Sequence, residues 1–534
     1  MNSHKLTLFI IYISKLDKPS IFPSHLDWYT SALQSFPAHL SLLSNPREVI
    51  IYTYNHVTHG FAARLTQSQA SFLSSFPGIL SVLPQTIHKI QTTQTPSFLG
   101  LNNDTGLWPE SDYASDIIIG VLDTGVWPQK TSCNKKIIGA RAYSKGVVLN
   151  GAKDTNSPRD TEGNGTHTAS TAAGSVVKNA GFNEYGVGDA QGMATKARIA
   201  IYKVCWSSGC ADADLIAVMD QAVADGVDVI SYSIGPDLAV PYDKNPISIA
   251  AFGAVEKRVL VSVAAGNEGP GPSTAKHLAP WILTVGASTI DIEYPCNVIL
   301  GDDRIFGGVS LYSGKPLANN TELLFGGDIG SANCVNGVLN STQAAGKIVL
   351  CDPGNIVEQE NAVKIAGGVG LITANLMEYG YGMTAESPMI PGAKVAFDDV
   401  VKIVDYSRTQ EKPVASFVFR GTVIGSSPSY PKVASFSSRG PNHITPEILK
   451  PDVIAPGVDI LAAWTGAADP SGLDVDKRRV AFNIIYGTSM ACPHVSGVAA
   501  MLRKAHPEWS PSAIKSAMLT TWYLYHHQQS LTAV

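Results

Sequence analysis

The chain is poor in charge. Only 16% of its 534 residues are Asp, Glu, Lys or Arg, against roughly a quarter in ordinary globular proteins. The 39 basic and 44 acidic side chains nearly cancel, leaving −5. No basic patch or stripe stands out, so neither nucleic acid nor an anionic membrane surface is an implied partner. No apolar run approaches the roughly 18 residues needed to span a bilayer. The apolar stretch Leu6–Ile13 is short and no small-x-small cleavage site follows it, so it reads as a strand opening a folded domain rather than a secretion signal. There is no Cys-x-x-Cys pair or Cys/His cluster for zinc and no Asp-x-Asp-x-Asp-Gly loop for calcium. No metal site and no cofactor are expected.

What is present is apolar. Hydrophobic residues make up 45% of the sequence and mean hydropathy is +0.08, enough for sizeable cores in about three domains. Seven cysteines leave at least one thiol unpaired. Cys205 with Cys210 and Cys334 with Cys351 are candidate disulfides, buried free thiols being the alternative.

Residues 1–91 read as a small α+β unit, with strands at Phe9–Ser14, Val49–Tyr54 and Ile79–Leu83 and helices near His25–Phe36 and after Thr66. Thr66 and Gln69 have capping-box spacing. The polar run Gln91–Pro96 reads as a linker. From about Asp116, β-branched apolar runs alternate with helical stretches, predicting a parallel sheet covered by helices on both faces. Four runs end in a polar residue beside glycine. They are Ile117–Leu122 before Asp123, Val227–Tyr232 before Ser233, Val259–Ala265 before Asn267, and Phe482–Tyr486 before Ser489. Ligands bind outside the carboxyl ends of strands in such sheets, so these residues are expected to converge. A glycine-rich α/β stretch at 317–423 reads as an insert.

Ser489 opens a helix, whose N-terminal N–H groups and dipole suit a developing oxyanion. Pro493 is expected in the first turn, where its missing N–H costs nothing. The run Gly487-Thr488-Ser489-Met490-Ala491-Cys492-Pro493-His494-Val495-Ser496-Gly497 closely resembles the nucleophile motif of subtilisin-like serine proteases, the plant subtilases in particular. Ile119–Pro128 resembles that family's aspartate motif, implying that Asp123 orients a catalytic imidazole. Ala264–Asn267 resembles the oxyanion segment, implying that role for Asn267. Ser233-Ile234-Gly235 resembles the strand that pairs with substrate. The resemblance implies a subtilisin-like α/β domain over 92–316 and 424–521, a ferredoxin-like inhibitory prodomain over 1–91 cut just before Thr92, and a protease-associated domain at 317–423. It further implies polypeptide substrates, the prodomain as an intramolecular inhibitor, and an extracellular setting. Asp-Thr-Gly is also the aspartic-protease signature, but that chemistry needs two carboxylates sharing a proton, and it is set aside.

The histidine motif departs from the pattern. Where the family carries Asp-x-x-Gly-His-Gly-Thr-His-Thr, this chain reads Asp160-Thr161-Glu162-Gly163-Asn164-Gly165-Thr166-His167-Thr168. Asn164 stands at the general-base position, and an amide cannot take the serine proton near neutral pH. His167, three residues on, is expected about 5–6 Å away on the helix surface, beyond the reach of about 2.6–3.2 Å that proton transfer needs. It reads as a packed structural histidine. Further departures are expected. Only nine residues separate Asp123 from Cys133, where relatives carry a longer loop, making Cys133 the odd thiol. The family's C-terminal fibronectin-like domain is missing, and 522–534 reads as an unrelated tail. Sequons begin at Asn103, Asn164, Asn319 and Asn340. Two functions fit: a serine endopeptidase of impaired activity, or a non-catalytic relative that binds peptide or prodomain without turnover.

Overall fold

The computed structural model describes residues 6–13, 18–41, 45–54, 60–76, 78–84, 95–128, 135–151, 153–235, 240–425 and 431–530. Two compact units make up the chain, Met1–Lys89 and Ile90–Val534. The expected cut before Thr92 and the thiol of Cys133 lie outside the described residues.

In the first unit, β1 (Thr7–Ile13), β2 (Ile50–Tyr54), β3 (Gly60–Leu65) and β4 (Ile79–Pro84) form an antiparallel sheet in the order β2-β3-β1-β4. Helices α1 (His25–Gln34) and α2 (Gln67–Leu73) contribute Tyr29, Leu33, Ala70 and Leu73 to a core with Ile11, Phe61 and Leu65. The Thr66–Gln69 capping box is formed, each side chain accepting the other residue's backbone N–H. Central strand β3 went unread in the sequence. Gly60-Phe61-Ala62-Ala63-Arg64-Leu65 lacks β-branched residues, and pairing on both edges supplies what propensity does not.

The second unit is built on a seven-stranded parallel sheet. Its strands are β5 (Ile118–Asp123), β6 (Ile137–Ala142), β7 (Arg198–Lys203), β8 (Val229–Tyr232), β9 (Leu260–Ala264), β10 (Leu283–Ser288) and β11 (Val453–Pro456). The order is β11-β10-β9-β8-β5-β7-β6. Helices α3 (Asn164–Ala173) and α6 (Thr488–Ala505) pack on one face, where Ala169, Ala172, Val495 and Ala499 meet Val121, Val229 and Val285. Helices α4 (Asp212–Ala224) and α5 (Pro246–Glu256) cover the other with Leu215, Val218, Ile247 and Ala251.

One expected sheet member is not there. The run before Ser489 forms β13 (Phe482–Ile485), which pairs antiparallel with β12 (Ile460–Ala463) in a separate two-stranded ribbon. Ser489 therefore reaches the sheet through helix α6, which crosses β8, β9 and β10, and not from a sheet strand.

A closed seven-stranded barrel lies between β10 and β11 in sequence. It runs from Pro295–Leu300 to Val414–Phe419, so its first strands precede Leu317, where the sequence reading starts the insert. Cys334–Cys351 bridges inside it with Cα atoms 5.7 Å apart, and Cys205–Cys210 closes a short loop after β7. Cys296 and Cys492 are buried free thiols.

Candidate active site

The turn that opens helix α3 has amides without a partner inside the helix. Asp160, fully buried, satisfies three of them: Oδ1 accepts Glu162 N–H at 3.0 Å and Gly163 N–H at 2.8 Å, and Oδ2 accepts Thr166 N–H at 2.8 Å, together with the Thr166 hydroxyl at 2.6 Å. A carboxylate at a helix N-terminus also suits the dipole. The loop after β5 presses against this turn, since a Cβ on Gly165 would stand 2.1 Å from the Gly125 carbonyl. Thr124 Oγ1 donates to Asp160 at 3.0 Å and accepts Gly165 N–H at 2.8 Å. The tip of β5 is thereby locked to the first turn of α3.

That lock brings Asp123 and Asn164 together. Asp123 is 3% exposed; Oδ1 accepts Thr124 N–H at 2.7 Å and Oδ2 accepts the Thr168 hydroxyl at 2.9 Å. With its amide nitrogen turned toward Asp123, Asn164 donates to both carboxylate oxygens at 3.2 Å. Burial pushes the Asp123 carboxyl up to about 7, opposed by the bonds from Thr124 and Thr168 and reinforced by the charges of Asp160 and Glu162. Thr168 is four residues beyond Asn164, hence on the same helix face; that spacing was the available signal for its part in the site.

His167 points elsewhere. It is fully buried, its Nε2 lies 2.9 Å from the Ile460 carbonyl, and Trp464 packs edge-on against its ring. Burial lowers its pKa to about 4, so it is a neutral imidazole whose Nε2–H donates to Ile460.

Ser489 and Ser233 clasp each other. Ser489 Oγ donates to the Ser233 carbonyl at 3.1 Å, and Ser233 Oγ donates to the Ser489 carbonyl at 3.0 Å. Pro493 explains the second bond, and it corrects the first-turn placement above. Helix α6 starts at Thr488, so Pro493 is inside the helix, where an ordinary residue would donate N–H to the carbonyl four residues back. That carbonyl belongs to Ser489, and the Ser233 hydroxyl takes the place of the missing donor. The next residue, Ile234, offers its carbonyl to His277 Nε2 at 2.8 Å. His277, fully buried with its pKa lowered to about 4, is a second feature unread in the sequence.

Asn267 completes the cluster. Its Oδ1 accepts both the backbone N–H and the hydroxyl of Thr488, each at 2.9 Å. The Nδ2 group is left as a donor, close enough to Gly487 that a Cβ there would stand 3.6 Å from it. Three expected residues, Ser233, Asn267 and Ser489, thus meet around the start of α6, and Asp123 and Asn164 meet at the start of α3. Gly235 ends the described part of its segment. A second Asp-Thr-Gly, Asp104–Gly106, escaped the sequence reading. It lies on an exposed loop where Asp104 N–H bonds Asn102 Oδ1 at 2.8 Å, and an exposed carboxyl cannot share a proton with buried Asp123. Among the described residues no group of three His, Cys, Asp or Glu side chains is arranged to hold a metal ion.

A parallel sheet with a serine-bearing helix across it, an Asp at the tip of β5 and an amide beside that helix define a hydrolase scaffold of the subtilisin type. The chain belongs to the subtilase family: the family's model matches residues 114–532, and a peptidase inhibitor I9 model matches residues 8–91. It is 51% identical to subtilisin-like protease SBT1.4 of Arabidopsis thaliana over 561 aligned residues, covering 98% of this chain and 71% of that protein. Subtilisin-like proteases SBT1.7 and SBT5.3 of the same plant are 46% and 38% identical, covering 96% and 89% of this chain and 72% and 68% of theirs. The first alignment is longer than the 534 residues of this chain, so that relative has internal residues without counterparts here.

Proposed function

We propose that this chain is a serine endopeptidase of the subtilisin type whose hydrolytic step is severely impaired, Ser489 being the nucleophile, Asn267 the oxyanion donor and Ser233–Gly235 the edge that pairs with a peptide backbone. Asp123 keeps the place of the residue that orients a base. The observation that carries the reading is the bidentate contact of Asn164 with Asp123: the carboxylate holds an amide where the imidazole of the template would sit. In that template the acid positions a ring that takes the serine proton, and an amide takes none. Loss of the histidine alone costs about 2 × 10⁶ in kcat in subtilisin, leaving roughly 10³–10⁴ over water from the oxyanion hole and binding. His167 offers no rescue, being held at Ile460.

The segment 1–91 acts in this reading as an intramolecular inhibitor, residues 317–423 as a protease-associated insert, and the protein is extracellular with polypeptides as its substrates. A second reading, peptide or prodomain binding without turnover, is favoured by the same Asn164 contact. Both are tested by Asn164→His. Purified variant and parent are assayed against a peptide library, and their N-termini are determined without another protease present. The variant is expected to gain about 10³-fold or more in kcat and to release its own N-terminal segment. Equal turnover in the two proteins overturns the assignment of Asn164, and self-release by the parent overturns the non-catalytic reading.

A further inference from the structure

A cavity of about 620 Å³ opens between the barrel and the sheet domain, away from Ser489. Segments 289–295, 432–436 and 458–459 line one side, and 307–309, 379–384 and Asp399 the other. Its size lies within the range of small-molecule sites, about 300–1,000 Å³. The walls are largely apolar and aromatic, with Tyr379, Tyr381 and Phe436 among them.

Two buried polar groups on this wall are incompletely used. Tyr294, 1% exposed, has a hydroxyl with no hydrogen-bond partner among the described residues. Burial holds that phenol in its neutral form, and the charge of Asp459 adds to the effect. Asp459, 6% exposed, accepts Ala385 N–H at Oδ1, 2.9 Å away, and that is its one hydrogen bond among the described residues. An orphan buried hydroxyl costs about 1–3 kcal/mol, and native structures satisfy such groups with a partner, a water or a ligand. Asp459 also sits at φ +56°, the left-handed region, and strained backbone of this kind gathers at ligand sites.

The charge of the lining sets the class of ligand. Glu293, Asp399 and Asp459 face the cavity against one cation, Lys432. Asp399 is paired with Lys402 at 2.8 Å. Lys394, whose charge reaches Asp459, is bonded to Glu386 and Thr384. Asp459 is therefore a buried carboxyl group with no salt-bridge partner among the described residues, raised to about 7 by burial, near an unused hydroxyl in a cavity with apolar and aromatic walls, and a bound cation would favour its ionised form. We propose that this cavity binds an alkylammonium group, with Asp459 as its counter-ion and the Tyr294 hydroxyl as a second acceptor. The alkyl stem lies against the apolar wall, and the aromatic rings add cation–π attraction. A free amine and a lysine side chain on a peptide present the same chemistry.

The test is a calorimetric titration of the full chain with n-butylammonium, with Nα-acetyl-lysine methylamide, and with n-butanol as the uncharged control. The parent should bind at least one of the two amines and favour it over butanol by about tenfold or more, the value of one charged hydrogen bond. The amine preferred identifies the free or the peptide-borne source. Asp459→Asn should cancel that preference. Asparagine tolerates the left-handed φ and keeps an oxygen for Ala385 N–H, so the variant should fold. Tyr294→Phe should weaken amine binding several-fold. No binding of either amine by the parent, equal binding of amine and butanol, or unchanged amine binding in both variants overturns the proposal.

Discussion

At the scale of single residues, the two histidine positions of the motif, one now Asn164 and the other still His167, have separate jobs. Asn164 is aimed at Asp123, whereas His167, three residues along the same helix, is turned into the protein and donates to Ile460. Such neighbours stand about 60° apart around the helix with Cβ atoms about 5–6 Å from each other, and His167 is also held at the Ile460 carbonyl, so one cannot stand in for the other without breaking that bond and unwinding the first turn of α3. His167→Ala should therefore behave as a core truncation. It leaves the Ile460 carbonyl without its donor and opens a void under Trp464, at a cost of about 2–4 kcal/mol. Urea unfolding followed by tryptophan fluorescence should show that loss, while any residual peptide turnover of the folded fraction stays at the parent level. Loss of turnover with stability intact would make His167 a working base after all.

At the scale of elements, the join between α6 and the end of β8 is set by a proline. With Pro493 unable to donate, the Ser489 carbonyl is served by the Ser233 hydroxyl, and the nucleophile's own hydroxyl returns the bond. Ser233→Ala should cost about 1 kcal/mol in the parent, the net worth of one such bond. In a Pro493→Ala background the helix can supply its own N–H, so the same substitution should cost markedly less. A double-mutant cycle on unfolding free energies measures the difference; equal costs in both backgrounds would mean that Ser233 and Pro493 are uncoupled. This join also marks the limit of what could be read in advance. Strands β5, β8 and β9 were legible because each is a β-branched apolar run ending in a polar residue, a local signal. The antiparallel pairing of β13 with β12, the strand β3 and the depth of Pro493 in α6 depend on which segment lies alongside, and no local pattern encodes that. In the same way Asp123, Asn164, Asn267 and Ser489 were visible as motif positions. The fit of Asn164 to both oxygens of Asp123, the capping of α3 by Asp160 and the grip of His277 on Ile234 are products of tertiary packing.

At the scale of the whole molecule, the site leaves a mark on the pH dependence of stability. Asp123 is buried with no cation bonded to it among the described residues, and its carboxyl is raised from an ordinary 3.8 to about 7. The folded state therefore holds a proton that the unfolded chain has released between pH 4 and 7. Stability linked to this group is complete below about pH 4 and is lost as pH rises through 7. Asp459 and Glu360, also raised to about 7 by burial, act in the same direction. The buried histidines His167, His277 and His494, lowered to about 4, act oppositely: their contribution is complete above about 6.5 and is lost as pH falls through 4. The two sets act against one another near pH 5–6, which masks the site in the total curve. A substitution isolates it. In Asp123→Asn the new amide oxygen still accepts a bond from Thr124 or Thr168, and Asn164 can turn its own oxygen toward the new N–H. Unfolding free energies of variant and parent, compared at pH 4, 6 and 8, should show the variant gaining steadily, by up to about 4 kcal/mol over the range, from three pKa units at 1.36 kcal/mol each. Asn164→His should flatten the parent's own slope, because an imidazolium beside Asp123 restores the counter-charge that the amide cannot provide. A pH-independent difference between Asp123→Asn and the parent would show that Asp123 is ionised in the folded protein throughout, and that the Asn164 amide alone suffices to hold it so.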